Sequence, residues 1–431
     1  MSGIASASLY ENARFNALVV VPNALQGIFR RRRAPVAAAT RANVDRRAVG
    51  LLAGMSRGHN GGPVWVRLVR ERALLLLAPA DVHRALAASP DPFASDPKAK
   101  RDGMCAFQPD ALTISRGEAW RERRAFAESV LDTGMPQHRL AERFDQVARS
   151  EIEAILAQAR GELRYDEWSL ALRRITRRVL LGDSARDDEP LTDLLAELMS
   201  KANGMPGEPA ERYPELLGRM QEYAAKAQEG SLVSLFAEAP DPHTDPAGQA
   251  IHWLFAGGDT IAANSFRALA LLASHPRQRA VVLDELAGGG DHPYLDACLH
   301  EAMRLYPTTL MLARETLAET DWKGETVAAG TQVVIANQFM HRDTARYPWA
   351  DAFSPERWID GEAAEAWSFN HFSRGPQGCP GVGLAMLIGK RALASVLSTR
   401  AVELRSGSLD PERPLPHMLD FFGLRFGLSS R

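Results

Sequence analysis

Residues 372–381 read Phe-Ser-Arg-Gly-Pro-Gln-Gly-Cys-Pro-Gly, with three glycines, two prolines and one of the chain's three cysteines. Glycine permits backbone conformations that are closed to other residues, and proline fixes φ and removes a donor. The segment is therefore predicted to form a shaped loop. The apolar run 383–394 follows it and predicts a helix. Cys379 thus precedes a helix N-terminus, where a thiolate is favoured, and a thiolate is a metal ligand.

The spacing around Cys379 separates two interpretations. A lone cysteine is often a buried, inert side chain. However, Phe-x-x-Gly-x-(Arg/His)-x-Cys-x-Gly is the haem-thiolate signature, and this segment matches it from Phe372 to Gly381 except at Gln377. The segment resembles that of the cytochrome P-450 family. The resemblance implies that Cys379 ligates the iron of haem b (iron protoporphyrin IX). It also implies that Phe372, Gln377 and Gly381 contact this cofactor, although the family usually has Arg or His at position 377.

Composition limits the classes of partner. The chain has 431 residues, of which 45% are hydrophobic and 24% charged, as in ordinary soluble globular proteins. Its formal net charge of −2 gives no reason to expect a nucleic-acid partner. The three cysteines are far apart in the sequence, which argues against a disulfide framework and favours the reducing cytoplasm. Length alone would suggest two or three domains.

The N-terminal stretch 15–29 is apolar and is followed by four arginines at 30–33. It is shorter than the roughly 20 residues that span a bilayer. A signal peptide would carry its positive charge before the apolar run. We expect residues 1–40 to form an arm packed on the body of the protein, so a membrane contact is not expected. The alternative is weak association with a membrane surface through the apolar face and the arginines.

A long helix is predicted from Asp245, a preferred N-cap residue followed by a proline, to Ser274. The pentad Ala-Gly-Gly-Asp-Thr at 256–260 lies in its middle. Each glycine costs about 1 kcal/mol in a helix, and an acid in an apolar stretch is costly without a partner. We therefore expect a close approach by another group and a local break in the helix. The competing interpretation is a cracked helix with a solvated acid.

The same pentad resembles the family's (Ala/Gly)-Gly-x-(Asp/Glu)-Thr motif. The resemblance implies that Ala256 and Gly257 leave room beside the cofactor. It also implies that Thr260 and Asp259 deliver protons during activation of O2. Ala256, Asp259 and Thr260 share one helix face by their spacing.

Two further positions are candidates for the haem propionates. Trp120 and Arg124 are four residues apart on a predicted helix, so they share a face, and both are donors suited to a carboxylate. The alternative is a surface helix on which the arginine covers the tryptophan. In the family Trp-x-x-x-Arg holds one propionate, and Arg314 of the extended stretch 308–316 matches the arginine that holds the second.

A structural network is implied by Glu301, Arg304 and Arg357. The first two form a Glu-x-x-Arg pair on a predicted helix, which alone could be an incidental surface pair. Arg357 lies in Pro-Glu-Arg-Trp at 355–358, close to the family's Pro-Glu-Arg-Phe. The resemblance implies that the three are buried together and serve folding and haem loading.

The candidate substrate contacts are apolar or uncharged and could equally pack inward. The irregular loop predicted at 89–109 caps the pocket in the family, and a hairpin is predicted at 419–424. Two helices joined by the breaker 205–209 form a lid in the family. The candidates are Met104, Phe107, Thr309, Leu310 and Phe421.

Together these patterns predict a mostly α fold with smaller β-sheets, in which one haem-thiolate domain covers 41–431 and a long central helix lies over the haem. The resemblance implies a bacterial, soluble monooxygenase that hydroxylates or epoxidises a hydrophobic small molecule with O2. Electrons would come from a ferredoxin or flavodoxin and its reductase. Four cations near the haem motifs are candidates for docking that carrier: Arg121, Arg123, Lys390 and Arg391. The alternatives are a peroxide-driven peroxygenase and a non-catalytic haem-binding sensor, and the intact Asp259–Thr260 pair disfavours both.

Overall fold

The computed structural model describes residues 3–203 and 210–431, and helices occupy most of this part of the chain. The α-helices are α1 (Leu9–Phe15), α2 (Val21–Gln26), α3 (Arg33–Arg41), α4 (Val44–Gly58), α5 (Pro79–Ala87), α6 (Lys98–Met104), α7 (Gly117–Val130), α8 (Ala141–Gln158), α9 (Tyr165–Leu181), α10 (Glu189–Ala202), α11 (Tyr213–Lys226), α12 (Pro246–Ser274), α13 (Pro276–Gly288), α14 (Pro293–Leu305), α15 (Asn337–Met340), α16 (Glu356–Ile359), α17 (Glu362–Glu365) and α18 (Val382–Thr399). The strands are β1 (Ala5–Ser6), β2 (Val64–Leu68), β3 (Glu71–Leu76), β4 (Phe93–Ala94), β5 (Glu162–Arg164), β6 (Met311–Thr316), β7 (Thr320–Trp322), β8 (Glu325–Val327), β9 (Gln332–Ala336), β10 (Arg400–Leu404) and β11 (Arg425–Ser430). The prediction of a mostly α fold with smaller sheets is confirmed.

The described residues divide into two compact units. The first consists of the chain up to residue 101, residues 303–379 and residues 413–420. The second consists of residues 102–302, 380–412 and 421–431. The predicted arm therefore belongs to the first unit, and the assignment of 41–431 to a single domain stays a prediction.

The first unit is built on a sheet with the strand order β1-β2-β3-β9-β6-β4. β2 and β3 form an antiparallel hairpin in which Val64 pairs with Leu75, and β3 continues parallel to β9. Leu74 to Leu77 are fully buried, because one run of aliphatic residues supplies both faces of the strand. The core of this unit therefore lies against the sheet.

The N-terminal arm is helical and packs on this core. The Ser8 hydroxyl accepts from the Glu11 N–H at 3.2 Å and the Glu11 carboxylate accepts from the Ser8 N–H at 2.8 Å, which is a capping box that starts α1. A π-helical turn, Asn16–Val20, connects α1 to α2. Phe15 and Val19 are buried in the hydrophobic core of the unit. The expected packing of the arm on the body is present.

The second unit is organised around α12, which has 29 residues and begins as predicted. The Asp245 carboxylate accepts from the Ala247 N–H at 2.9 Å, so Asp245 caps the helix N-terminus as predicted. α9 lies along α12, and the Trp168 indole N–H donates to the Ser265 hydroxyl at 3.0 Å between them. The helix is continuous through 256–260, so the expected local break is absent there. Backbone hydrogen bonding continues because glycine keeps helical geometry here at an energetic cost only.

Helix α18 is long and apolar enough to be a possible membrane span, and it is the one such helix among the described residues. Ala392, Leu393 and Val396 on it are fully buried. It also carries Arg391, whose guanidinium lies 3.0 Å from the Asp145 carboxylate of α8. These contacts are those of a core helix in a globular unit.

Two local predictions were wrong. The segment 89–109 is not irregular throughout, because it contains β4 and α6. Lysine, alanine and arginine after Pro97 are good helix formers, and the Pro97 carbonyl accepts from the Lys100 N–H at 2.8 Å. The segment 419–424 forms a 3₁₀ turn, Phe421–Gly423, rather than a hairpin, because the strand that follows it, β11, pairs with the distant β10 and β5. The breaker at 205–209 lies outside the described residues.

Candidate functional site

The cysteine loop of the first unit has the shape that its glycines predict. Gly375 has φ +70°, and a Cβ there would lie 2.2 Å from the Leu86 carbonyl oxygen of α5. Only glycine fits both conditions. The Cys379 N–H donates to the Phe372 carbonyl at 2.8 Å, which closes the loop, and Cys379 is exposed. The chain then continues to Gly381, the N-cap of α18.

Arg314 on β6 is a buried cation beside this loop, with 1% of its surface exposed. Its guanidinium donates to the Ser373 hydroxyl at 2.9 Å, the Ser89 hydroxyl at 3.1 Å and the Ala313 carbonyl at 3.0 Å. These acceptors are all neutral, and desolvation lowers the pKa of Arg314 to about 10. Because a buried charge is costly without an opposite charge, the arrangement fits a site that receives an anionic group.

Lys100 on α6 is a second cation in this neighbourhood. Burial first and the charge of Arg314 second lower the pKa of Lys100 to about 7, while Asp96 acts in the opposite direction. The Asp96 carboxylate also pairs with Arg101 at 3.0 Å, and Arg101 lies 3.5 Å from Glu315. Asp96 therefore acts on both Lys100 and Arg101, whereas the acceptors of Arg314 are neutral, which again favours an anion from outside this cluster. Sequence reasoning missed Lys100, because a lysine in a short helix after a proline carries no distinctive signal.

Gln377 lies in the same loop and is 9% exposed. Neither its amide nitrogen nor its amide oxygen has a hydrogen-bond partner among the described residues. Buried amides are nearly always hydrogen-bonded in native proteins. An orphaned amide beside Cys379 is therefore expected where a bound group supplies the missing partner.

The middle of α12 in the second unit has an open face. Ala256 and Asp259 are exposed and Thr260 is half-buried, whereas Leu254 and Ile261 beside them are buried. The spacing thus places the predicted alcohol and acid on an accessible part of an otherwise buried helix. This is the placement that proton delivery needs.

Asp259 has the partner that its position requires. The Arg173 guanidinium of α9 lies 3.8 Å from its carboxylate, and 47% of the Asp259 side chain is exposed. The acid is therefore both held by a cation and open to solvent. Sequence reasoning missed Arg173, since nothing along α9 distinguishes it from the neighbouring arginines.

The two glycines of the pentad face α9. A Cβ on Gly257 would lie 2.9 Å from the Thr176 methyl carbon, and one on Gly258 would lie 3.2 Å from the Arg173 Cγ. The expected close approach to the helix is therefore made by α9, and packing alone accounts for Gly257. A cofactor contact by Gly257 has no support in this geometry.

Trp120 and Arg124 lie one turn apart on α7, as their spacing predicts. The Arg124 guanidinium lies 2.6 Å from the Glu128 carboxylate, and its side chain is 13% exposed. Trp120 is half-buried. Their role toward a propionate stays a prediction.

Arg304 is the centre of a buried polar network in the first unit. It is fully buried, and its guanidinium donates to the carbonyls of His341 at 2.6 Å and Ala350 at 2.8 Å. The His341 ring nitrogen Nδ1 lies 3.1 Å from the Arg304 carbonyl, so His341 donates there as the neutral tautomer. Burial and the charge of Arg304 lower the pKa of His341 to about 3, which keeps that tautomer at physiological pH.

Arg357 differs from the expected buried trio. Glu301 and Arg304 on α14 are both fully buried, but the Arg357 side chain is 43% exposed. It pairs with Glu362 at 3.0 Å and reaches the face of Trp349, which Arg304 also contacts from 4.9 Å. Arg357 therefore supports the network from the surface, through an aromatic ring.

The candidate substrate residues mostly pack inside their own units. Met104, Phe107, Leu310 and Phe421 are at most 8% exposed. The Phe107 ring lies 5.5 Å from Phe255 of α12, edge to face. Thr309 is exposed, and its carbonyl accepts from an asparagine side chain. The inward-packing alternative describes four of the five, and substrate contact stays a prediction.

A separate cleft of about 640 Å³ opens in the second unit. Its lining includes Arg160, Arg164, Arg174, Arg405 and Glu167, and it contains none of the predicted site residues. It belongs to another part of that unit.

Comparison with known proteins gives consistent matches. The cytochrome P-450 family model matches residues 242–420. A 3-beta-hydroxylase of Tanacetum parthenium is 35% identical over 170 residues, 35% of this chain and 34% of that protein. A probable cytochrome P-450 28c1 of Drosophila melanogaster is 26% identical over 412 residues, 80% of each. The structure of retinoic acid-bound cyanobacterial CYP120A1 has a TM-score of 0.71 at 19% identity and covers 88% of this chain and 93% of that one. The chain matches about a third of the length of the first curated relatives.

The fold is therefore similar to that of cytochrome P-450 structures, and the cysteine loop lies within the part of the chain that the family model matches. The cofactor of the cytochrome P-450 family, whose model residues 242–420 match, is haem b. The residues present fit this group, because it brings carboxylates to a region where Arg314 is buried among neutral acceptors and Gln377 has unpaired amide atoms.

Proposed function

We propose that this protein is a haem-dependent monooxygenase that hydroxylates or epoxidises a hydrophobic small molecule. The observation that carries the proposal is the exposed Cys379 thiol, held on a closed loop that precedes α18 in the sequence. Haem bound at this thiolate supplies reductive activation of dioxygen, which the thiolate favours by donating electron density. Arg314 and Gln377 would hold the propionates in the first unit.

Asp259 and Thr260 are proposed to move protons. Asp259 is open to solvent and is held by Arg173 at 3.8 Å, so it can take protons from water. The neighbouring Thr260 hydroxyl can accept one hydrogen bond and donate another, which positions a proton on the open face of α12. The adjacency of a solvated acid and a half-buried alcohol supports oxygen chemistry driven by electrons over a peroxide-driven reaction.

A ferredoxin or flavodoxin with its reductase is the proposed electron source. The four cations expected to dock it are all ion-paired within the second unit, with Glu118, Asp110, Asp296 and Asp145. An acidic carrier would compete with these pairs, so each cation offers less than a free charge would. None of the three cysteines forms a disulfide in the described part of the chain, which supports a cytoplasmic location.

The substrate is proposed to be apolar. The cyanobacterial structure is bound to retinoic acid, a largely hydrocarbon ligand, and the plant relative is a hydroxylase by name. The predicted contacts are mostly aliphatic or aromatic, as in pockets for apolar molecules.

The test has two variants. Cys379→Ser should abolish the long-wavelength Soret band of the reduced carbon monoxide complex. Thr260→Ala should retain that band but lose about 100-fold in oxidation of a compound chosen by its shift of the Soret band, with ferredoxin and reductase as electron donors. Turnover of wild type with hydrogen peroxide alone would favour the peroxygenase, and unchanged oxidation by Thr260→Ala would remove the proposed proton path. No oxidation of any shifted compound by wild type would favour the haem sensor.

A further inference from the structure

The N-terminal helical stretch carries an apolar face that nothing in the described structure covers. α1, the π-turn and α2 follow one another from residue 9 to residue 26. One side packs inward through Phe15 and Val19. The Asn16 side chain fixes the stretch to the sheet, because it donates to the Arg67 carbonyl and accepts from the Val69 N–H at 2.8 and 2.7 Å. The helix is therefore held in a defined orientation.

The outward side is apolar as well. Tyr10, Val21, Leu25 and Ile28 are 68%, 44%, 58% and 60% exposed. The exposed residues between them at 13, 17 and 24 are alanines. A helix on the surface of a soluble protein normally turns a polar face to water. Half of the large exposed hydrophobic residues among those described lie within residues 9–28, so this is a concentrated patch.

Exposed cations border the patch. Arg14 lies over the Tyr10 ring at 5.4 Å, and the exposed Arg30, Arg32 and Arg33 follow shortly after Ile28. The acid of this stretch, Glu11, is already engaged by its cap and by a histidine. This end of the sequence is distinctly positive, although the chain as a whole has a formal net charge of −2. Positive charge and exposed apolar side chains therefore occur together in this part of the chain.

We propose that this face docks on the surface of an anionic lipid bilayer. Tyr10, Val21, Leu25 and Ile28 would enter the boundary between headgroups and acyl chains, and the arginines would contact the anionic headgroups. Helices that lie in a membrane interface combine these two features. A second copy of the chain is the other occupant, but pairing would bring two arginine runs together, which like-charge repulsion disfavours.

The experiment uses the full-length, haem-loaded protein and vesicles of phosphatidylcholine with or without phosphatidylglycerol. We expect flotation with the anionic vesicles at low salt, at least tenfold weaker binding to the neutral vesicles, and loss of binding at high salt. Leu25→Glu/Ile28→Glu should abolish binding. Each of Arg30→Gln, Arg32→Gln and Arg33→Gln should weaken it about fivefold.

Met135→Glu/Val281→Glu is the matched control, because both residues are exposed hydrophobics elsewhere, at 62% and 45%. It should bind vesicles like wild type, and all variants should keep the wild-type carbon monoxide spectrum. The proposal is overturned if wild type fails to bind anionic vesicles, or if Leu25→Glu/Ile28→Glu binds as tightly as the control. It is also overturned if the patch instead holds a dimer, which the same double variant would convert to monomer in sedimentation. None of these results depends on the oxidation chemistry.

Discussion

Two cations of the first unit, Arg314 and Lys100, indicate what the protein needs from its cofactor. Arg314 is surrounded by neutral acceptors and Lys100 is pushed toward its neutral form by burial and by Arg314. A bound group with two carboxylates would relieve both costs, so we expect haem binding to stabilise the first unit.

Lys100 should make the stability of the haem-free protein depend on pH. Its pKa falls from 10.5 in the unfolded chain to about 7 in the folded one. Between these two pKa values the unfolded state binds more protons, so the free energy of unfolding rises with pH. Below pH 7 the stability lost by burying the charged lysine reaches its full value. Lys100→Met should remove this slope and raise the stability at pH 6 by about 1 kcal/mol, as measured by urea unfolding.

Lys98→Met provides the control on the same helix, because Lys98 is exposed. It should leave the slope unchanged. In the haem-loaded protein the slope of wild type should shrink, since propionates favour the charged lysine. An equal slope in Lys100→Met and wild type would contradict this account.

At the scale of elements, helix α12 shows how packing determines composition. Its glycines were predicted to admit a close neighbour, and α9 is that neighbour through Thr176 and Arg173. Asp259 and Thr260, which lie on the open face of the helix, follow these glycines directly in the same pentad. One short motif therefore serves helix packing on one side and carries the residues proposed for proton transfer on the other.

Gly257→Ala should destabilise the second unit by about 1–3 kcal/mol, because the added methyl would lie 2.9 Å from the Thr176 methyl carbon. Adding Thr176→Ser removes that carbon and should restore much of the loss. Thermal unfolding of the haem-loaded protein measures both. Gly218→Ala in α11 meets nothing within 4 Å and should be neutral or stabilising, and a similar loss at both glycines would exclude the packing explanation.

Local signals account for what the sequence predicted. α12 and the cysteine loop carry a cap, periodicity or glycines within a short window, and their bounds or shapes agree with expectation. The 419–424 segment was misassigned because β11 pairs with strands far away in sequence. Arg173 and Lys100 were missed for the same reason, since what makes them important is a neighbour on another element.

At the scale of the whole molecule, each unit is assembled from separated stretches of chain. Arg342, which is 2% exposed, joins two of them in the first unit. Its guanidinium donates to the carbonyls of Leu305 at 3.2 Å and Leu415 at 2.7 Å, and pairs with Asp351 at 2.7 Å. This one side chain ties residues 413–420 to the rest of the unit.

Arg342→Met should destabilise the first unit by about 3 kcal/mol, because it leaves a carboxylate and buried carbonyls without their donor. Limited proteolysis should then cut near residues 405–413 faster than in wild type. Arg357→Met is the control, since its pairs are at the surface and should contribute less than about 1 kcal/mol. If Arg357→Met lowered the free energy of unfolding as much as Arg342→Met does, the result would support the structural role in a buried network that the resemblance implied for Arg357.

The interleaved division of the chain also affects its synthesis. The first unit begins at the N-terminus but needs residues 303–379 and 413–420, and the second is complete only with 421–431. A ribosome adding about 5–20 residues per second needs roughly 10–40 s to pass from the first stretch of that unit to its second. During that interval the early hairpin and helices lack their partner strands, so the nascent chain is a natural client for chaperones, and slow translation cannot help it fold domain by domain.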